Sequence, residues 1–250
     1  MRVYGLLSWF DEEPSWLAAC VASMSKLCSD VIAFDGAYGL YPTVEARSAP
    51  IQAETIARTA DALGMAWTIH VPQEKWWEGE VSKRAAMLAL AATLATPSDW
   101  LLVLDADEVL RDVWSGTRGQ LAETDLDVAE LTIVDSWGGR APIRRLFRAL
   151  PGITCEETHY NVKVYEGSSP RYLAGDPLNA AATFAPSLLM SDLTIVHRGE
   201  ERTPERKAAK AAYYERAIPL EQAKLIGGGT HAQVVRGSDG GGAEGQAVRA

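Results

Sequence analysis

The chain has 250 residues, 47% of them hydrophobic, and a formal net charge of −9. That supplies apolar material for a sizeable core, in one large domain or two small ones. The acidic balance, with no Lys/Arg-dense block, argues against nucleic acid as the main partner and leaves room only for a local basic pocket.

Residues 3–9 predict a first core strand; the apolar run is too short, and its flanks wrong, for a signal peptide. Asp11, Glu12, Glu13 and Pro14 then open a helix, acids and proline standing where a helix N-terminus favours them. Its apolar residues are Trp16, Leu17, Val21, Met24 and Leu27. Residues 31–34 read as a second strand running into Asp35 and Gly36, and 37–49 as a loop. A helix follows from about Ile51, with Gly64 placed to end it. Residues 67–71 give a third strand, 80–94 an alanine-rich helix and 100–105 a fourth strand. This alternation predicts an α/β fold with a mostly parallel sheet and right-handed crossovers.

Beyond Asp107 the pattern changes. Shorter strands are expected at 128–134, 145–147 and 161–165, and another at 193–196 ending in His197. Thr203 caps a helix with Pro204 in its first turn, and Pro219 is expected to interrupt it near Ile218. The organisation expected is one domain over 1–226, with a nucleotide-binding half (1–108) and a smaller mixed half (109–226). From Gly227 the chain is Gly-rich and weakly apolar, a composition that predicts disorder. No stretch approaches the roughly 20 apolar residues of a membrane helix. Cys20, Cys28 and Cys155 lack metal-ligand spacing and fit a reducing, cytoplasmic setting.

The most informative segment is LLVLDADE at 101–108. An apolar run, of the kind that makes a strand buried on both faces, ends in three carboxylates. The carboxyl ends of strands are where open α/β sheets bind ligands. Clustered oxygen donors suit a hard divalent cation, Mg²⁺ or Mn²⁺, bridging to phosphate. Along an extended strand Asp105 and Asp107 stand roughly 6.6 Å apart on one side, too wide to grip one ion together. Asp107 is therefore assigned direct metal ligation and Asp105 a ribose or a metal-bound water. Ala106 is small enough for the backbone to approach a nucleotide. The alternative is an acidic strand end that only caps a neighbouring helix.

Several further segments, in order, resemble glycosyltransferase family 2, which has the GT-A fold. Strand one followed by Asp11, Glu12 and Glu13 resembles that family's opening; 31–36 resembles its "IVVVDG" segment. Lys83 and Arg84 precede the DxD run at a similar distance. RLFR at 145–148, Pro151, Gly152, Ile153 and His159 resemble "RLFR…PGI…HE". His197 and Gly199, followed by Arg206, Lys207 and Lys210, resemble "HxG…R…K". Two departures are Ala37-Tyr38 after Asp35-Gly36, where Ser or Thr is usual, and Tyr160 in place of a Glu.

The resemblance implies a metal-dependent transferase acting on a UDP- or GDP-sugar, inverting, with an unidentified acceptor. It implies His197 as a metal ligand or diphosphate contact, whereas on the residue alone a satisfied core histidine is the commoner reading. It implies a base contact for Asp35, beside Gly36, with Ser8 and Trp9 lining the same pocket and Tyr38 or Tyr41 available to stack. Lys83 and Arg84 sit near a helix start, where the dipole disfavours cations. A diphosphate answers that, and a lysine snorkelling at a domain edge is the other reading. Inversion needs a general base, for which Glu157, Glu156 and Asp135 are candidates. Trp137 and His159 are assigned to the acceptor side. The rivals are a nucleotidyltransferase, which would want a Gly-rich basic loop where Asp11–Glu13 stand, and a non-catalytic nucleotide-sugar-binding or scaffold protein on the same fold.

Overall fold

A computed structural model describes residues 1–73, 77–159, 161–175, 183–227 and 246–249. The first half alternates as read from the sequence: β1 (Val3–Ser8), α1 (Pro14–Met24), β2 (Asp30–Phe34), α2 (Pro50–Ala62), β3 (Ala66–Val71), α3 (Glu80–Leu94) and β4 (Trp100–Asp105). β3, β2, β1 and β4 lie side by side and parallel. The chain winds outward from β1 to β3, then returns to place β4 on the other side of β1. The topological switch point, where α/β sheets open a crevice, thus falls between the ends of β1 and β4.

The second half extends the same sheet. After a turn at Ala106–Asp107 come β5 (Glu108–Arg111), α4 (Thr117–Glu123), β6 (Val128–Val134), β7 (Arg140–Arg148) and, later, β11 (Leu188–His197). With β12 (Gln246–Arg249) these give a nine-stranded sheet in the order β12-β3-β2-β1-β4-β7-β6-β11-β5. A separate three-stranded sheet joins β8 (Thr154–Cys155), β9 (Val162–Glu166) and β10 (Ser169–Ala174). α5 (Pro204–Gly227) closes the described helices.

Two apolar clusters sandwich the main sheet. One joins α1 and α2 to its first face through Leu17, Val21, Met24, Ile56, Leu102 and Leu104. The other joins α3 and the small sheet to the second face through Met87, Leu88, Leu101, Val103, Phe147 and Val164. Residues 101–104 alternate between the two clusters, so a continuous apolar run is what a strand covered on both faces requires.

Several expectations are revised. β7 is longer than 145–147 and includes Pro142, which has no donor for a ladder. β4 pairs only with residues 146–148 of β7, so at Pro142 the strand has β6 alone as neighbour. β11 starts five residues before Leu193. β5, α4, β8 and β10 are short elements with no clear period. Pro219 does not end the last helix, which runs on to Gly227. Within the expected unstructured tail, Gln246–Arg249 instead pairs antiparallel with β3, while residues 228–245 and Ala250 lie outside the described residues. No helix among the described residues is long and apolar enough to cross a membrane. The three cysteines are buried and form no disulfide.

Candidate active site

The strand spacing rule stops at Asp105, because Ala106 and Asp107 form a turn rather than extended chain. The turn sends the two carboxylates to different partners. Arg84 Nη2 donates to both Asp105 oxygens at 2.8 Å, and Arg145 Nη2 stands 3.5 Å from one of them. Burial would raise the Asp105 pKa, but Arg84, Arg145 and Lys210 overcome it and hold the carboxyl well below the usual range. Arg84 also reaches Glu80 at 3.2 Å, and Arg145 reaches Glu108 at 3.0 Å. Glu108, fully enclosed, is pushed up to about 6 by burial, with Arg145 pulling against it and Asp105 and Asp107 adding to it.

Asp107 is 1% exposed. Its Oδ2 lies 2.7 Å from Arg202 Nη1, 3.0 Å from His197 Nε2 and 4.0 Å from Lys210 Nζ. Register explains the histidine: antiparallel pairing sets His197 of β11 opposite Glu108 of β5, beside Asp107. Burial opposes ionisation of Asp107, yet the His197 bond with Lys210 and Arg202 brings its pKa down to about 2. The same bond raises the imidazole's own pKa. Both Asp107 oxygens are buried, and neither meets the geometry of a full hydrogen bond among the described residues, so Oδ2 is held chiefly by the charges beside it.

Gly199 lets the chain pass over this pair. A Cβ there would stand 2.6 Å from His197 Cε1 and 3.2 Å from Asp107 Oδ2. Gly199→Ala is therefore expected to push the imidazole off Asp107 and lower the His197 pKa, as read by a proton NMR titration of the imidazole; an unchanged titration would refute the contact.

Three cavities meet around these groups. A small one of about 70 Å³ lies at the switch point, lined by Ser8, Trp9, Tyr38, Asp105, Ala106 and Asp107 among others. Trp9 Nε1, which lines it, is buried without a hydrogen-bond partner, as is Asp107 Oδ1. A second, of about 650 Å³, opens beyond Asp107 and is lined by His197, Arg202, Lys207, Lys210, His159 and Tyr214. A third, of about 460 Å³, lies where β7 diverges from β4, between α3 and the small sheet; Arg84, Arg145, Phe147 and His159 face it. His159 lines both larger cavities, its Nδ1 3.9 Å from Glu80.

The structure thus brings Ser8, Trp9, Asp105, Ala106, Asp107 and His197 together, and sets Arg84 just behind them. It places other expected residues elsewhere. Lys83 does not meet the cleft: it is 0% exposed, and its Nζ donates to the carbonyls of Trp9 and Gly36. Asp35 is spent on the loop that follows, accepting from the Ser48 amide at 2.8 Å and the Ser48 hydroxyl at 2.5 Å. Gly36 is needed for its backbone: φ is +113°, and a Cβ would strike Pro72 and Trp77. Glu156 and Glu157 both pair with Lys163. Asp135 accepts from the Trp137 and Gly139 amides in the β6–β7 turn, and Trp137 is 83% exposed on that turn. None of these four lines the cavities described. Tyr160 lies outside the described residues.

Sequence reasoning missed Glu12, Arg202 and Tyr213. Glu12 was read as a helix-dipole acid, but it is buried and receives Arg202 and Arg206. The available signal was spacing: 202, 206, 210, 213 and 217 fall on one helical face and its lead-in.

A divalent cation fits this site in part. Asp107 and His197 offer one carboxylate and one imidazole, and Arg202 already stands against that carboxylate. Asp105 is committed to Arg84, and no cluster of three His, Cys, Asp or Glu suited to a metal occurs among the described residues. Two protein donors suit Mg²⁺ or Mn²⁺, which keep waters and substrate phosphates in their remaining positions. No protein-family model matches the chain, and comparison with curated proteins finds no match.

Proposed function

We propose that the chain is a metal-dependent glycosyltransferase of the GT-A type, moving a sugar from a nucleoside-diphosphate sugar to an acceptor hydroxyl with inversion. One observation carries this reading: among the buried polar atoms without hydrogen-bond partners, the donor Trp9 Nε1 and the Asp107 carboxylate oxygens belong to residues that line one cavity at the switch point of the sheet. Buried polar groups are ordinarily satisfied, and such exceptions call for a ligand or an ion.

On this reading the nucleoside sits over Ser8, Trp9 and Ala106, with Tyr38 as a wall. Asp105, kept ionised and oriented by Arg84, accepts from a ribose or sugar hydroxyl. Asp107 and His197 hold Mn²⁺ or Mg²⁺, which when bound offsets the charge growing on the departing diphosphate. The acceptor enters through the larger cavities, where His159, backed by Glu80, is placed to take its proton.

The test is a thermal-shift series with UDP and GDP, with and without Mn²⁺. Nucleotide at a hundredfold excess over its dissociation constant stabilises the fold by about 2.7 kcal/mol. UDP or GDP should raise the melting temperature only when the metal is present. A metal-independent shift, a preference for triphosphates, or no shift at all would overturn the proposal, the last favouring a scaffold that keeps the fold.

A further inference from the structure

The pocket assigned to the nucleoside is too small to hold one. Ligand cavities run from about 300 Å³ upward, yet the space between Trp9, Tyr38 and Asp107 is about 70 Å³. What closes it is the C-terminal helix and its lead-in. Arg202 bridges Asp107 and Glu12. Arg206 reaches the Phe10 carbonyl, Glu12 and the Tyr41 hydroxyl. The Tyr213 ring packs 5.0 Å from that of Tyr38 and 6.1 Å from that of Tyr41, and its hydroxyl accepts the Glu80 amide at the start of α3.

We propose, resting on the functional reading above, that α5 is a self-inhibitory strap in which the Arg202 guanidinium takes the place of the divalent cation at Asp107, so that strap docking and cation binding exclude one another. The contacts at Asp107 carry the exclusion. Arg202 already holds Oδ2 at 2.7 Å, the oxygen that His197 also addresses. A doubly charged ion seated between Asp107 and His197 would lie beside the guanidinium, against a carboxylate that is itself buried, and like charges repel there more than in open water. The Glu12 carboxylate offsets part of that repulsion, but it also fixes the guanidinium in place on Asp107. Release of Arg202 frees the lead-in and the first turn of α5 with Arg206, and lifting of the helix then draws Tyr213, about two turns on, out of the nucleoside pocket.

The strap is built to come off. Among the described side chains of α5 only Tyr213 and Ala217 are buried, so little apolar surface holds the helix down. The remaining ties are ion pairs, hydrogen bonds and ring contacts at the edge of the helix, such as Tyr214 against His159 and Arg206 over Phe10. Elements with few buried apolar contacts open at low free energy. The lead-in is a single 3-10 turn, Gly199–Glu201, which can swing without disturbing β11. An Arg and an ion competing for one carboxylate also couple metal level to pocket opening, as linkage requires.

The experiment titrates Mn²⁺, followed by the paramagnetic resonance of the free ion, into the wild-type protein, Arg202→Gln and Tyr213→Ala. Tyr213 lies at the far end of the strap contact, so Tyr213→Ala loosens the strap without altering Asp107 or His197. Both variants should bind Mn²⁺ at least about tenfold more tightly than wild type. Hydrogen exchange across α5 in the wild-type protein should quicken when Mn²⁺ and UDP are added. Melting curves identify a variant that has not folded, and the other then decides. If wild type binds Mn²⁺ and neither variant binds it more tightly, the strap is wrong and the metal reading stands. If none of the three proteins binds Mn²⁺, both fall.

Discussion

On the function proposed, Asp107→Asn should lower metal-dependent sugar transfer by at least about a thousandfold, equivalent to roughly 4 kcal/mol of transition-state stabilisation, while leaving the protein folded. The amide keeps an oxygen for Arg202 and His197, and Glu12 still holds Arg202, so the contacts around position 107 survive in kind. What disappears is the charge. With its pKa down to about 2, Asp107 is ionised throughout any working range, and the asparagine oxygen is a poor ligand for a hard cation. A second signature lies at acid pH. The carboxyl is depressed below its ordinary value, so its contribution is complete above about pH 4 and is lost as pH falls through about 2. The variant lacks that loss, and its acid-unfolding limb should be shallower there. Turnover within tenfold of wild type in a discontinuous product assay would refute the ligand role.

Why the sequence disclosed the parallel half so well is a matter of burial. Strands covered on both faces must be continuously apolar, and residues 31–34 and 101–104 are, so their positions and the helices between them follow from pattern alone. The second half hides its strands. Residues 140–142 of β7 are exposed and 143–144 half-buried, because β4 parts from β7 there and no apolar pattern is imposed. β5 is four residues long, too short for any period to register. Pro219 misleads because it sits in a largely exposed helix, where one missing hydrogen bond is made up by water.

The site was legible where chemistry depends on position along a strand, and illegible where it depends on which neighbour arrives. Asp107 and His197 each end or follow an apolar run, and register brings them together. Glu12 and Arg202 are 190 residues apart, and nothing local announces their pairing. Asp35 and Lys83 show the opposite failure. Both stand in motif positions, yet the fold uses them internally, Asp35 to anchor Ser48 and Lys83 to tie two carbonyls. A motif specifies residue type at a place, and packing decides whether the side chain faces ligand or protein.

Lys83→Met should destabilise the fold by about 3–5 kcal/mol near pH 9, and by distinctly less near pH 6. The side chain is fully enclosed, and its nitrogen joins the ends of β1 and β2 through the Trp9 and Gly36 carbonyls. Methionine fills the volume but leaves two buried acceptors unpaired, each worth roughly 1–3 kcal/mol. The pH dependence follows from the amine. Burial brings its pKa down to about 7, despite Asp35, Glu80 and Asp105 pulling the other way. Below that value the native protein carries a buried charge that methionine does not, so part of the variant's loss is recovered. Between about pH 7 and 10 the unfolded chain holds a proton the native amine has released, and wild-type stability rises with pH. From pH 6 to pH 9 that rise is roughly 2–3 kcal/mol. The neutral amine still has two N–H bonds, one for each carbonyl, so the tie persists as the charge leaves. Urea unfolding of both proteins at the two pH values measures the difference. Equal destabilisation at both would mean that the amine stays charged, and a variant as stable as wild type at pH 9 would mean that the carbonyls find other donors.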